Sequence, residues 1–212
     1  MTDAPLTLFV DAFWISPYAM SAFVALEEKG LPFTATPVAL QTKEHQKPGY
    51  TARTGRVPAL RHGSFELAES SAIAEYLAET FPFPKYPRLF PENLQQRGIA
   101  REIMAWLRSD LMPLREERAT HTIFYAHTEA PLSVKGQQAK QRLIAAVTPL
   151  IHGTTLFDAW CLADLDLSIM LQRLNVNGDL LPPALKTYAE ANWQRPSVQK
   201  WVSRPRAPYQ PY

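Results

Sequence analysis

The chain has 212 residues, with 22 basic against 20 acidic side chains and a formal net charge of +2. A balance so close to neutral excludes the dense basic footprint of a nucleic-acid or membrane-surface binder. Hydrophobic residues make up 46% and charged residues 20%, the proportions of a soluble globular protein with one large domain or two small ones.

Residues 6–10 (Leu-Thr-Leu-Phe-Val) form a short apolar run of the kind a buried strand needs. Ser16-Pro17 opens a helix. Serine is a favoured N-cap, and proline fits the first helical position, where its missing N–H would be unpaired in any case. Ala19, Ala22, Phe23 and Leu26 repeat at helical spacing, and Lys29-Gly30 closes the helix with a basic last turn and a glycine cap. Residues 32–40 read as extended and 41–55 as a polar, irregular stretch. Val57-Pro58-Ala59-Leu60 leads into a strand, His62-Gly63-Ser64 marks a tight turn, and Phe65-Glu66-Leu67 returns as a short strand. Glu69-Ser70-Ser71 then starts a helix with Ile73, Tyr76 and Leu77 on its inner face. Strands and helices in this order predict an α/β unit of about eighty residues.

Prolines 82, 84, 87 and 91 follow, and no helix passes through them. The expected division is therefore a first domain over 1–82, a linker over 83–92 and an all-helical domain over 93–212. In the last of these, Ile99, Ile103, Trp106, Leu107, Leu111 and Leu114 line one helix face, with a kink expected at Pro113. Ala139, Leu143, Val147 and Leu150 line a second, Ala163, Leu167, Met170, Leu171 and Leu174 a third, and Leu185, Tyr188 and Trp193 a fourth. Residues 119–132 show no period and read as a loop. The proline- and tyrosine-rich tail, 204–212, reads either as a cover for a pocket or as a segment without fixed structure.

The lone Cys161 cannot close an internal disulfide, which excludes a stapled secreted scaffold. The opening stretch has no basic n-region and no long apolar core, and no run of 18 apolar residues occurs anywhere. Neither a signal peptide nor a membrane span is expected, and the expected location is cytoplasmic. The histidines have no metal-ligand spacing, so no metal is expected.

Four separated segments carry a family resemblance: the strand with Ser16-Pro17-Tyr18; Lys43-Glu44-His45-Gln46-Lys47-Pro48; Gly55-Arg56-Val57-Pro58-Ala59-Leu60; and residues 67–77 around Glu69-Ser70. Ala163-Asp164 and Arg195-Pro196-Ser197-Val198 add two marks in the second half. In this order and spacing they resemble the cytosolic glutathione transferases, most closely the serine-using theta-, zeta- and tau-like classes. The resemblance implies a thioredoxin-like βαβαββα domain followed by a helical-bundle domain, that is, α/β plus all-α. It also implies glutathione as co-substrate, no metal, an apolar electrophile or organic hydroperoxide as second substrate, and a homodimer.

The resemblance gives roles to residues that also have plain structural readings. Ser16 is a helix N-cap; in the family it donates a hydrogen bond to the glutathione sulfur. A free thiol has a pKa of about 8.5, and lowering it by about two units takes roughly 2.7 kcal/mol. One charge-assisted hydrogen bond at a positive helix end is of that order. Val57 would present its backbone to the glutathione peptide, ahead of a cis Pro58. Glu69 and Ser70 are a capping pair, or the acceptors of the γ-glutamyl ammonium and carboxylate, since helix N-termini bind anions. His45, Gln46 and Arg56 are solvated surface, or lie near the glycine end of glutathione, where Lys43 or Arg53 are substitutes. Phe13 and Trp14, and further off Trp106 and Met112, are candidates for the second-substrate pocket or for core packing. Asp164 is expected to be structural, with Cys161 standing where the family has a Ser or Thr cap.

Three functions compete on this resemblance. The leading one is glutathione conjugation or glutathione-dependent peroxide reduction, in detoxification and oxidative-stress defence. A cysteine-type thiol transferase needs a nucleophilic cysteine at the helix start, where this chain has Ser16. A non-enzymatic interaction protein on the same fold would have no need of Ser16, Arg56, Glu69 and Ser70 together.

Overall fold

The computed structural model describes residues 4–47, 50 and 53–211. Pro48 of the second family segment and the terminal Tyr212 lie outside the described residues. β1 (Leu6–Asp11) buries Leu6, Leu8 and Val10, the period-2 pattern of a strand packed on a core. It pairs in parallel with β2 (Phe33–Val38) and antiparallel with β3 (Ala59–His62), which in turn pairs antiparallel with β4 (Phe65–Ala68). The sheet order is β2-β1-β3-β4.

Parallel neighbours need a crossover, and α1 (Pro17–Glu28) supplies it. Met20, Ala22, Phe23, Val24, Ala25 and Leu26 are buried in succession, so α1 is enclosed on most sides. Gly30, at φ +65, ends the helix where an L side chain would be strained. α1 packs on β1 and on α2 (Ser70–Thr80), which also meets β3 and β4. Buried Lys29 ties the two helices together, its Nζ donating to the Phe81 carbonyl at 2.6 Å. The β3–β4 turn, Gly63-Ser64, is the tight one expected, with Gly63 at φ +60. Between β2 and β3 the helix implied by the resemblance takes the form, among the described residues, of two 3₁₀ turns, Leu40–Thr42 and Glu44–Gln46. Lys43, at φ 56, breaks the run between them.

Beyond the prolines the elements are helical: α3 (Leu94–Ser109), α4 (Met112–Glu117), α5 (His121–Phe124), α6 (Val134–Val147), α7 (Leu162–Asn175), α8 (Pro183–Trp193) and α9 (Pro196–Val202). Asn93 caps α3 by accepting the Gln95 and Gln96 amides, and Ser133 caps α6 by accepting that of Gly136. α7 is buried along nearly its whole length and packs against α3, α5 and α8. Three of its polar side chains donate to carbonyls: Ser168 and Gln172 to Ala189, and Arg173 to Arg118.

Four local expectations need correction. The long helix does not kink at Pro113. It ends at Ser109, and Leu111, at φ 60, turns the chain; Pro113 then occupies the first turn of α4, where proline is tolerated. Ile99 is not on the inner face but is 37% exposed. Residues 119–132 include one helical turn, α5. Residues 196–202 form a helix that the sequence pattern did not reveal, because Pro196 reads equally well as a stop or a start.

The chain divides into two compact units: Met1–Leu89 together with Gln199–Tyr212, and Phe90–Val198. No helix among the described residues is long and apolar enough to cross a membrane.

Candidate functional site

The strand register gathers the candidate segments at one end of the sheet. Phe9 lies opposite Ala59, and Ala59 opposite Ala68. The exit of β1, the entry of β3 and the exit of β4 therefore share an edge. Residues 11–16, 57–58 and 69–70 are the chain that leaves or enters there.

At the exit of β1, Asp11 is fully buried. Its Oδ2 accepts the Ile15 amide and its Oδ1 the Ser16 amide, each at 2.9 Å. The Trp14 amide donates to the Asp11 carbonyl at 3.0 Å, and Trp14 sits at φ 55. Burial pushes the Asp11 carboxyl above the usual carboxylate range, with the two amides and the Arg206 charge pulling against it. This carboxylate fixes the tight turn that delivers Ser16 to the start of α1.

Half-buried Ser16 has the extended backbone of an N-cap, and its Oγ accepts the Ala19 amide at 3.2 Å. Accepting that bond uses a lone pair and leaves the O–H as a donor. The hydroxyl stands at the positive end of a 12-residue helix. Phe13 and Trp14 are buried, at 4% and 7% exposure. Trp14 meets Phe23 and Trp201 edge-on, with ring centroids 6.1 and 4.8 Å away.

At the entry of β3 the Val57–Pro58 peptide is cis. Val57 is half-buried, Pro58 buried and Arg56 exposed. The Tyr50 hydroxyl donates to the Arg56 carbonyl at 2.9 Å, and burial pushes that phenol well above its ordinary pKa. Gly55, at φ +60, leaves room for the His45 carbonyl, 3.5 Å from where a Cβ would stand. The His45 backbone thus lies beside Gly55. The His45 Nε2 lies 3.3 Å from Gln46 Nε2, and its buried Nδ1 has no partner among the described residues.

At the exit of β4, Glu69 is exposed and takes φ 71, ψ 119, a conformation that L residues rarely adopt. Its carbonyl accepts the Ile73 amide at 2.9 Å, but its side chain makes no cap bond to α2. Ser70 beside it is buried.

The other predicted residues lie in the helical unit. Trp106 Nε1 donates to Asp110 at 3.0 Å, Met112 is 45% exposed, and Asp164 is fully buried. The Asp164 carboxylate accepts the Cys161 amide at 2.8 Å, the Leu156 amide at 2.7 Å and the Tyr188 hydroxyl at 2.8 Å. Burial pushes its carboxyl up, and pushes the Cys161 thiol up as well. Among the described residues no group of three or more His, Cys, Asp or Glu side chains is placed to hold a metal ion.

Sequence reasoning missed Asp11. The one available signal was an acidic residue closing an otherwise apolar strand, five residues ahead of the cap. No standard capping motif has that spacing.

The Glutathione S-transferase, N-terminal domain family matches residues 15–80, and the Glutathione S-transferase, C-terminal domain family matches residues 93–205. The chain belongs to the glutathione S-transferase family. A glutathione transferase homolog from Burkholderia gl BGR1, solved with bound glutathione, is 40% identical, with a TM-score of 0.78 over 95% of this chain and 97% of that one. Glutathione S-transferase theta-1 of Rattus norvegicus is 26% identical over 168 residues, 78% of this chain and 60% of the relative. Glutathione S-transferase 1 of Dianthus caryophyllus is 36% identical over 106 residues, 49% of this chain and 47% of the relative. The chain thus spans about half the length of the curated relatives it matches. As a member of this family, it carries in its first unit the sheet edge at which residues 11–16, 57–58 and 69–70 meet.

Proposed function

We propose that this protein binds reduced glutathione at the sheet edge of its first unit and directs the thiolate at an electrophile or an organic hydroperoxide. The observation that carries this reading is Ser16, an N-cap with a donor to spare at the positive end of α1, in a turn fixed by Asp11.

In this reading Ser16 donates to the sulfur and favours thiolate over thiol. Glu69 accepts the γ-glutamyl ammonium, and Ser70 with its backbone N–H takes the carboxylate at the start of α2. The strained Glu69 backbone supports that assignment, because such strain gathers at ligand clamps. Val57 presents its amide and carbonyl to the glutathione peptide, with Pro58 fixing its direction. Arg56, His45 and Gln46 face the glycine end, and Phe13 and Trp14 border the co-substrate.

In conjugation the sulfur forms a bond to the electrophilic carbon, and the leaving group departs with its electron pair. In peroxide reduction the sulfur takes the distal oxygen and releases an alcohol, and a second glutathione then yields the disulfide and water. The same reading takes the first domain as 1–82, the linker as 83–92 and the helical domain as 93–212, working as a cytoplasmic homodimer in detoxification and oxidative-stress defence.

The test is calorimetric titration with reduced glutathione, followed by conjugation and peroxidase assays. Saturable binding at one site per chain is expected. No binding at several millimolar, well above ordinary substrate concentrations, refutes the reading.

A further inference from the structure

The loop that delivers Ser16 is held from outside by the last residues of the chain. The Arg206 guanidinium reaches the Trp14 carbonyl through Nε at 3.4 Å and Nη2 at 3.3 Å. The same group donates to the carbonyls of Trp201 (2.9 Å), Val202 (2.8 Å) and Arg204 (3.0 Å). The planar fork is thus anchored on the last turn of α9 and the residues just after it, and spends its remaining reach on one carbonyl of the Ser16 loop. The Arg204 guanidinium lies over the Trp14 ring, 4.1 Å from its centroid, a cation–π contact. Tyr209 meets Phe13 edge-on at 5.5 Å. Lys200 Nζ reaches Glu27 on α1 at 2.6 Å.

The loop needs such a hold. Trp14 sits in the left-handed region, which costs a non-glycine residue free energy and persists only where its surroundings over-determine it. From inside, Asp11 binds the amides of Ile15 and Ser16; from outside, Arg206 binds the carbonyl that precedes them.

We propose that Arg206 is a positioning residue for Ser16, and that residues 204–209 hold the Ser16 loop in its working geometry. The inference rests on the reading of Ser16 as the donor to the glutathione sulfur. Arg206 touches no reacting atom. It acts through Trp14, and its effect falls on the thiolate rather than on the binding of the tripeptide. A lysine would keep the charge but replace five donors in a fixed planar fork by three on one nitrogen. Tyr209, set against Phe13, extends the same hold to the residue proposed to border the co-substrate.

The experiment compares full-length wild type with Arg206→Ala in three measurements. Amide exchange at Ile15 and Ser16, followed by NMR, reads the loop itself. The pH profile of kcat/KM for a chloronitroarene electrophile reads the bound thiol, and calorimetry reads glutathione affinity. Expected are exchange at Ile15 and Ser16 faster by about tenfold or more, with β3 amides unchanged. Also expected are a kcat reduced by about tenfold and a thiol midpoint displaced upward, with glutathione affinity within about threefold of wild type.

Exchange and kcat both within about twofold of wild type overturn the proposal. So does a loss confined to affinity, which a positioning role does not predict. If Arg206→Ala does not fold, Arg206→Lys must show the same displacements at smaller size, and wild-type values in it overturn the proposal. Should wild-type protein bind no glutathione, the parent reading fails, while the exchange measurement still decides whether the tail holds the loop.

Discussion

Asp11 is the residue on which the geometry of the first unit depends most, and Asp11→Asn tests that directly. Two buried amides, Ile15 and Ser16, end on its two oxygens at 2.9 Å. Asparagine keeps one acceptor and turns an NH₂ group on the other amide, so one donor is left facing a donor. An unsatisfied buried donor costs about 1–3 kcal/mol, while the desolvation that raises the Asp11 carboxyl cancels what its charge adds to the two bonds. A destabilisation of about 1–3 kcal/mol is therefore expected, a sizeable fraction of a typical domain's 5–15 kcal/mol or so. Asp11→Ala, which strands both amides, should cost more. Urea unfolding followed by tryptophan fluorescence gives the comparison, since Trp14 lies in the same turn. The pH dependence adds a sign. Burial raises the carboxyl above its reference value of 3.8, so between that value and the native pKa the folded state binds more protons than the unfolded one. The Asp11 contribution to stability then falls as pH rises through that window. The deficit of Asp11→Asn should be largest at the acid end and level off above it. A deficit below about 0.5 kcal/mol, the scatter of ordinary surface substitutions, would refute the reasoning, as would one that grows with pH through the window.

Ser16→Ala should raise the pKa of bound glutathione thiol by about one to two units and leave affinity within about threefold; an unchanged rate–pH profile removes Ser16 from the mechanism. Glu69→Ala should instead weaken glutathione binding by about 1–3 kcal/mol at little cost in saturated rate, and calorimetry showing wild-type affinity would cancel the proposed orientation. In the second unit, Gly136 lies in the first turn of α6, and a Cβ there would stand 2.6 Å from Glu117 Oε2. Glycine-to-alanine replacement in a helix usually gains up to about 1 kcal/mol. Here Gly136→Ala should gain nothing, because it displaces the carboxylate that accepts the Ser133 amide at 2.7 Å and its hydroxyl at 2.6 Å. In a Glu117→Ala background the same change should become stabilising, and additive effects in the two backgrounds would disprove the conflict. Those Ser133 bonds hold the Glu117 carboxyl below its reference value of 4.5, so its contribution is present above that value and lost as pH falls through the native pKa. The stability gap between wild type and Glu117→Gln, from urea midpoints, should narrow on acidification; a constant gap would refute the shift, and a widening one would reverse its direction.

Much of the first unit was legible because its signals are local. Ser16-Pro17 and Gly30 bracket α1 within a residue, and Gly63-Ser64 set the hairpin. The second unit was legible where a helix has one apolar face, as with Ala139, Leu143 and Val147 on α6. The stripe on α7 was read as well, although that helix is buried nearly all round; the unit was less legible where a stripe runs on past a break, as from Leu107 to Leu111 and Leu114. The φ of Leu111 has no signature in a leucine. At the sheet edge, the segments that meet were readable from their motifs, but what holds them was not. Asp11 acts across five residues without a motif, and Arg206 acts across 192 residues on the Trp14 carbonyl. Contacts from a side chain to a distant backbone carbonyl leave no pattern in composition or period.

The two units solve one problem in the same way and with different consequences. Each has a helix whose entry leaves backbone amides buried, and each answers them with one buried carboxylate: Asp11 for Ile15 and Ser16, Asp164 for Leu156 and Cys161. A carboxylate suits the task because it only accepts; it has two oxygens and, ionised, no hydrogen of its own to place. The cost is desolvation, and it raises the carboxyl in both cases. What offsets it differs. Asp164 receives a third hydrogen bond from the neutral, fully buried Tyr188 hydroxyl at 2.8 Å, so its state depends on groups that carry no charge at neutral pH. For Asp11 the offset comes chiefly from its backbone amides, with a smaller pull from the Arg206 charge. Of the two carboxylates, the one that aims Ser16 sits in a turn whose Trp14 carbonyl also receives the Arg206 guanidinium, from a segment that contributes nothing to the sheet.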